Sequence, residues 1–354
     1  MDREQPAAAQ RSSGGIAGLI DRQASRQGDK PFLTWYGGET GERVELSYRT
    51  FENWTAKVAN LLVEELGARR GDRVGTVLGG HWRGAAIAFA CWRAGACLVP
   101  LDPDAPAGAQ AARLRETGCL AAFVAEGRLG AVAERLGPAP GRPALVAVGL
   151  DLLGRTGADP ATAVDFARVV PGMGDVFEGE GTSPVDEALL PGDGGDRPLS
   201  QGDLLAWAGR VVAGLGLDER GRLYTGLPAH LALGAVSGLA APFLAGTGVV
   251  VEQALAPAGF WKRVADERVA AAVLTAAQVE ALLEAAQGPA PVPGAPGATA
   301  TGGAPGPGPH RLRVVACDLE QVPGPLALAW QRRFGLPLSP VPGAAASTPS
   351  GQRR

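Results

Sequence analysis

The chain has 354 residues, of which 46% are hydrophobic and 19% are charged, and its formal net charge is −3. This composition is typical of a soluble globular protein with a sizeable core, and the length predicts two subdomains. Because the net charge is slightly negative, electrostatics favours neither nucleic acid nor an anionic membrane as a partner. We therefore expect no nucleic-acid partner and no membrane partner.

The cysteines and the amino-terminal segment indicate a reducing compartment. Cys91, Cys97, Cys119 and Cys317 lie in apolar segments and form no CxxC pair. This favours small buried side chains over metal ligands, so we expect no metal site. Residues 1–14 are polar, lack the apolar core of a signal peptide and predict a flexible arm. Together these features predict a cytoplasmic protein.

One uncharged stretch, residues 231–251, is long enough in principle to span a bilayer. Several glycines and Pro242 interrupt it, and the sequence Gly-Val-Val-Val at its end has the pattern of a buried strand. We predict a buried helix, turn and strand here rather than a membrane span.

Helix and strand patterns alternate along the first part of the chain. Helices are predicted at residues 16–27, 82–93 and 107–117, and another begins at the Ser47 cap and ends before Gly67. Strands are predicted at residues 31–36, 43–46, 73–78, 97–101 and 121–125. Such alternation predicts an α/β fold with parallel sheets covered by helices.

Composition divides the chain into segments. We predict a first α/β subdomain over residues 15–190 and a second that starts at residues 191–287 and ends at residues 310–336. Residues 288–309 contain only Gly, Pro, Ala, Thr and Val and predict a disordered insert. The Pro-, Ala- and Ser-rich residues 337–354 predict a disordered tail.

Several motifs resemble, in order, those of one enzyme superfamily. Residues 93–106, RAGACLVPLDPDAP, are similar to the KAGAAYVPLDPxxP motif of adenylate-forming acyl-CoA synthetases and AMP-binding ligases. Residues 71–74 match GDRV, residues 199–205 resemble LTHxNLL, and residues 227–230 resemble LPLFH. The resemblance implies the layered αβαβα-type amino-terminal domain of adenylate-forming enzymes. It extends in particular to truncated acyl-CoA-synthetase-like proteins of GC-rich bacteria.

The resemblance also implies a reaction in which a carboxylate attacks the α-phosphate of ATP. The family holds the phosphates in a loop rich in serine, threonine and glycine that ends in Pro-Lys-Gly. The matching residues 190–198 keep Gly192, Gly194 and Gly195, but they contain no hydroxyl and only one cation, Arg197. The two aspartates of this segment would repel a triphosphate, so we predict a degenerate phosphate loop.

A second family motif, YGxTE, packs its tyrosine on adenine and holds Mg²⁺ with its glutamate. The matching residues here are Pro342, Gly343 and Ala346, none of which ligates a hard cation. In the family a small carboxyl-terminal domain supplies the catalytic lysine, whereas no lysine follows Lys262 here. We therefore assign no catalytic residue.

The candidate ligand pocket is marked by His230, Gly234 and Gly238. His230 matches the family histidine that closes on the acyl pocket near the nucleotide. A histidine in a loop before a helix fits the same pattern without any ligand, and both interpretations stay open. His81 follows a predicted strand and is expected at the surface.

These observations predict an AMP-binding, acyl-CoA synthetase-like protein that is truncated and catalytically inactive. It would keep an acyl or nucleotide ligand, or interact with a full-length synthetase or a carrier protein. The alternative is an ATP- and Mg-dependent carboxylic acid (acyl-CoA) ligase that works with Arg197 and other non-standard residues, or with a carboxyl-terminal domain supplied in trans.

Overall fold

The computed structural model describes residues 15–37, 41–138, 140–151, 153–154, 156–159, 161–179, 181–192, 197–252, 254–287 and 311–343. The helices are α1 Ile16–Gln27, α2 Tyr48–Asn60, α3 Trp82–Ala94, α4 Ala107–Glu116, α5 Glu126–Leu136, α6 Phe166–Val169, α7 Gln201–Leu215, α8 Ala232–Ala235, α9 Ala241–Ala245, α10 Pro257–Asp266, α11 Ala276–Gln287 and α12 Gly324–Phe334. The strands are β1 Pro31–Gly37, β2 Glu42–Ser47, β3 Arg73–Val77, β4 Cys97–Leu101, β5 Cys119–Ala125, β6 Ala144–Val148, β7 Val164–Asp165, β8 Glu187–Leu189, β9 Leu199–Ser200, β10 Arg222–Thr225, β11 Gly248–Glu252, β12 Val269–Leu274, β13 Val314–Cys317 and β14 Leu338–Pro340.

Two seven-stranded sheets form from these strands. Sheet I has the order β14-β13-β12-β10-β11-β1-β2, and sheet II has the order β7-β6-β5-β3-β4-β8-β9. Neighbouring strands run parallel except at one edge of each sheet, where β2 and β9 are antiparallel to their neighbours. The predicted parallel, helix-covered α/β architecture is confirmed.

Three apolar clusters show that the molecule has five layers. Helices α10, α11 and α12 cover the outer face of sheet I, and α4 and α5 cover the outer face of sheet II. Helices α1, α2, α3, α7 and α9 fill the space between the sheets and form the largest cluster. Side chains alternate between the two faces of a strand, so in β10 Leu223 packs toward the middle layer and Tyr224 toward the outer helices. This arrangement is the αβαβα type implied by the motif resemblance.

An aromatic cluster in the middle layer joins the two sheets. Phe243 of α9 packs at 4.8 Å from Phe32 of β1 and at 4.7 Å from Phe89 of α3, measured between ring centroids. Phe51 of α2 lies 4.7 Å from Phe32 and 5.1 Å from Phe89. All four side chains are almost fully buried. The rings therefore link a strand of sheet I to the helix that precedes β4 of sheet II.

The motif at residues 93–106 carries a further link in the same layer. Helix α3 ends at Gly95, whose φ of 75° is the left-handed conformation that glycine adopts readily. Arg93, in the last turn of α3, is buried and forms ion pairs with Glu52 of α2 at 2.6 Å and Asp21 of α1 at 3.0 Å. The motif thus fixes three middle-layer helices against one another.

Two segments differ from the sequence expectations. Strands β1 and β2 lie in the segment predicted as the first subdomain, yet β1 pairs with β11 of sheet I. Residues 338–340, within the predicted disordered tail, form β14 and pair with β13 because apolar Leu338 can bury at that edge. The predicted arm, residues 1–14, and the predicted insert, residues 288–309, lie outside the described residues.

The uncharged stretch at residues 231–251 folds as the predicted helix, turn and strand. It comprises α8, the π-type turn Val236–Ala240, α9 and β11, with Gly246 in the left-handed conformation between the last two. No helix among the described residues has the length and apolarity needed to cross a membrane.

We predict that Phe243→Ala lowers the free energy of unfolding by about 3–5 kcal/mol, because it opens a cavity where the rings of both sheets meet. The measurement is urea unfolding followed by tryptophan fluorescence. Val185→Ala is the control, since Val185 is 81% exposed and its truncation should change stability by less than about 0.5 kcal/mol. A loss at Phe243 as small as that of the control would contradict the role given to the cluster.

Candidate functional site

A cavity of about 250 Å³ lies between the two sheets, at the carboxyl ends of their central strands. It is bordered by Leu78 after β3, Pro100 of β4, Thr225 at the end of β10 and Glu252 at the end of β11. In open parallel sheets this crevice is the usual place for a ligand. The cavity is therefore the first candidate for a binding site.

Small residues on facing elements create this cavity. Gly79, Gly84, Ala85 and Ala88, at the start of α3 and just before it, line one side. A Cβ atom built at Gly79 would meet nothing within 4 Å, and one at Gly84 would meet its nearest atom at 3.8 Å. The space is thus left open by short side chains, and a larger residue at Gly84 would enter it.

The opposite side is formed by the loop after β10 and by α8, and it contains all three predicted pocket residues. His230, Gly234 and Gly238 line the cavity, and His230 is half-buried. A Cβ at Gly234 would lie 2.0 Å from the carbonyl oxygen of Pro228, so only glycine lets the helix approach this loop. Their assignment to a ligand stays a prediction.

A π-type turn follows α8 for identifiable reasons. The Ser237 hydroxyl donates to the carbonyl of Leu233 at 2.5 Å, and Pro242 has no N–H to continue the regular ladder. The turn places Gly238 against Thr225, because a Cβ at Gly238 would lie 2.7 Å from Thr225 Oγ1. Such turns are frequent at functional sites.

The polar groups of the cavity have unequal freedom. Gln278 is fixed, since its side-chain nitrogen donates to the carbonyl of Gly226 at 2.9 Å and its oxygen accepts from the N–H of Thr275. Glu252 is also fixed, by Arg263 Nε at 2.9 Å and by the Tyr224 hydroxyl. The Thr225 hydroxyl is buried and, within the described part of the chain, has no hydrogen-bond partner.

His81 also lines the cavity. The expectation that it lies at the surface is wrong, because its side chain is only 4% exposed. Its Nδ1 accepts the backbone N–H of Arg83 at 3.0 Å and thereby caps α3. Its ring lies 4.3 Å from the ring of Trp35 of β1. Burial, aided by the charge of Arg83 and opposed weakly by the Leu150 backbone, lowers the pKa of His81 to about 3.

The cavity does not fit a magnesium-bound triphosphate. Among the described residues that line it there is no lysine and no arginine, and its carboxylates are Asp104 and Glu252. Three phosphates in this space would meet no free cation from the described lining, because Arg263, which lies outside the lining, is already paired with Glu252. Across the described ranges, no group of three or more His, Cys, Asp or Glu residues could hold a metal ion.

The predicted phosphate-loop position lies beside the cavity but does not build a phosphate cradle. Gly192 packs on β4, since a Cβ there would lie 1.8 Å from the carbonyl oxygen of Pro100. Arg197 is exposed. It lies near Asp203 of α7, whose pKa is lowered mainly by hydrogen bonds from Ser200 and to a smaller extent by Arg197. Gly194 and Gly195 lie outside the described residues.

The predicted adenine and magnesium position packs against α7 instead of lining the cavity. Pro342 covers Gly214, where a Cβ would lie 2.3 Å from the proline ring, and its carbonyl accepts from Trp207 Nε1 at 3.2 Å. A Cβ at Gly343 would lie 2.9 Å from the side chains of Arg210 and Trp207. Ala346 lies outside the described residues.

Comparison with known proteins identifies a matching family. The family described as "AMP-binding enzyme" matches residues 20–165 of the chain. The resemblance to AMP-binding enzymes is confirmed. A protein of Mycobacterium tuberculosis (strain ATCC 25618 / H37Rv), known by a family name alone, is 48% identical over 77 residues, which are 22% of this chain and 31% of that protein.

Solved structures extend the likeness to almost the whole chain. An acyl-CoA synthetase from Brucella canis superimposes with a TM-score of 0.75 and 18% identity over 92% of this chain and 56% of that protein. A benzoate CoA ligase from Burkholderia xenovorans LB400 superimposes with a TM-score of 0.72 and 15% identity over 92% of this chain and 60% of that protein. The chain thus spans less than two thirds of these two proteins. At such identities the likeness shows the fold, which is that of the amino-terminal domain of adenylate-forming enzymes.

The sequence analysis missed several residues that line the cavity. Thr225 and Glu252 each end a parallel strand at the edge where ligands bind, and this position could have marked them in advance. His81 and Gln278 lie four residues beyond the ends of β3 and β12, and contacts with distant segments fix their side chains at the cavity.

The burial of His81 predicts a pH dependence of stability. In the unfolded chain the pKa of His81 is that of an ordinary histidine, about 6.5, whereas in the folded protein it is about 3. Between these two pH values only the unfolded state binds a proton at this residue. The contribution of His81 is fully present above about pH 6.5 and is lost as the pH falls toward 3, by up to about 1.4 kcal/mol per pH unit.

The measurement is urea unfolding between about pH 7 and about pH 5 for the wild type and His81→Asn. Asparagine can still cap α3 but does not titrate, so the variant should show a shallower loss of stability. Equal slopes in the two proteins would contradict the burial of a neutral histidine.

Proposed function

We propose that this protein binds a small acyl- or aryl-type ligand in the cavity between its sheets and does not itself form an adenylate. The observation that carries the proposal is the cavity, which lies at the carboxyl ends of the central strands and whose described lining contains no lysine or arginine. The space suits an apolar group, whereas no described residue of its lining compensates the charge of a triphosphate.

The two positions that would serve ATP support the same proposal. Gly192 is packed on a backbone carbonyl of β4, and Arg197 is exposed beside the start of α7. Pro342 and Gly343 are engaged with Trp207 of α7. Adenylate formation needs cations and donors converging on the phosphates, and these contacts do not supply them.

A second candidate is an ATP-dependent carboxylic acid ligase, favoured by the match of residues 20–165 to AMP-binding enzymes. It would use ATP and Mg, with Arg197 as the cation that residues 190–198 themselves contain. Its partners would be a full-length synthetase, as a source of a carboxyl-terminal domain in trans, or a carrier protein. This candidate predicts binding of Mg·ATP that Arg197→Ala abolishes.

We predict that Gly84→Leu prevents ligand binding while the fold is retained, because the new side chain enters the cavity from α3. The measurement is a thermal-shift screen with benzoate, hexanoate and their amides. A ligand that binds the folded wild type raises its stability by about 1.4 kcal/mol when present at about ten times its Kd.

The matched control is Gly130→Leu, also in a helix but at an exposed position where a Cβ would meet nothing within 4 Å. This control should respond to the ligands as the wild type does, whereas Gly84→Leu should give no shift. Equal shifts in the two variants would place the ligand outside the cavity.

A further inference from the structure

We infer that the cavity selects a ligand whose buried head group is uncharged, such as an acyl or aryl amide, over the corresponding free carboxylate. This inference rests on the proposed function and names the chemical class of its ligand. It concerns the cavity defined by Leu78, Pro100, Thr225 and Glu252.

The charges around the cavity are the first reason. Its lining includes two carboxylates and, among the residues described, no lysine or arginine. Glu252 is paired with Arg263, which lies outside the lining and also covers the ring of Tyr36 at 3.5 Å. Asp104 is exposed at the rim. A carboxylate inside would lose its hydration and gain no cation, which disfavours the charged head group.

The amino terminus of helix α3 is already partly capped by His81. Its amino terminus borders the cavity, and such termini commonly bind anions through free N–H groups. Here the imidazole of His81 accepts the N–H of Arg83. The buried ring cannot act as a cation either, because burial holds its pKa near 3.

The Thr225 hydroxyl is the second reason. Its oxygen is buried, lies on a residue that lines the cavity, and makes no hydrogen bond to any described residue. A buried hydroxyl without a partner is costly, so a ligand that pairs with it gains affinity. An amide can both donate and accept, and it satisfies this group without bringing a charge.

The size of the cavity limits the ligand further. About 250 Å³ lies below the range of roughly 300–1,000 Å³ typical of ligand pockets, so the occupant is a single ring or a short chain. Benzamide and hexanamide meet this limit, and benzoate and hexanoate are their charged counterparts of nearly equal shape.

The test compares the Kd values of these two pairs by isothermal titration calorimetry on the full chain. We expect each amide to bind about tenfold or more tightly than its acid. Thr225→Val, which removes the hydroxyl at nearly constant volume, should weaken amide binding about fivefold, and Thr225→Ser should restore part of the affinity.

Each outcome decides a specific claim. Acids that bind as tightly as their amides, or more tightly, would overturn this inference and leave the proposed ligand cavity intact. If none of the four compounds binds at millimolar concentration, both the proposed function and this inference are overturned. An equal response of wild type and Thr225→Val would overturn the role of the hydroxyl.

Discussion

The packing of four buried phenylalanine rings in the middle layer, between the two sheets, is the interaction on which we expect the rest of the structure to depend. Phe32 belongs to sheet I, Phe89 lies on the helix that precedes β4 of sheet II, and Phe243 contacts both. Arg93 reinforces the layer by pairing with two other helices. The motif at residues 93–106 is therefore a structural element, and its strand β4 also supports the predicted phosphate-loop position, because Gly192 packs on the carbonyl of Pro100.

The same layer explains where the cavity lies and what it can hold. At the carboxyl ends of the strands the middle layer contains small residues in place of large rings. Gly79, Gly84 and Ala88 line one side of the cavity there, and Gly234 and Gly238 line the other. Packing in protein interiors is normally dense, so a run of small residues on both sides leaves a space. Gln278 and Glu252 are held by neighbouring groups, whereas the Thr225 hydroxyl and Nε2 of His81 are buried without a hydrogen-bond partner among the described residues, which supports the proposed apolar ligand with one polar head group.

Local patterns predicted most of the fold, whereas contacts between distant segments could not be predicted from them. Helix α1 forms over residues 16–27 as its apolar spacing indicated, and β4 forms over residues 97–101. The pairing of Leu33 with Val249 depends on a crossover between remote segments, so chain order assigned β1 to the wrong partners. His81 was expected at the surface because its burial comes from Trp35, which lies far from it in the sequence. The pocket residues His230, Gly234 and Gly238 came from a family motif, while Thr225 and Glu252 required knowledge of where the strands end.

The central proposal is that this chain combines the fold of adenylate-forming enzymes with a ligand cavity but does not itself form an adenylate. Carboxylate-dependent exchange of pyrophosphate into ATP, measured with Mg²⁺ and with benzoate or hexanoate, tests this claim most directly. The account predicts exchange no faster than that of a heat-denatured sample of the same protein. Exchange that exceeds this control, requires the carboxylate and disappears in Arg197→Ala would contradict it.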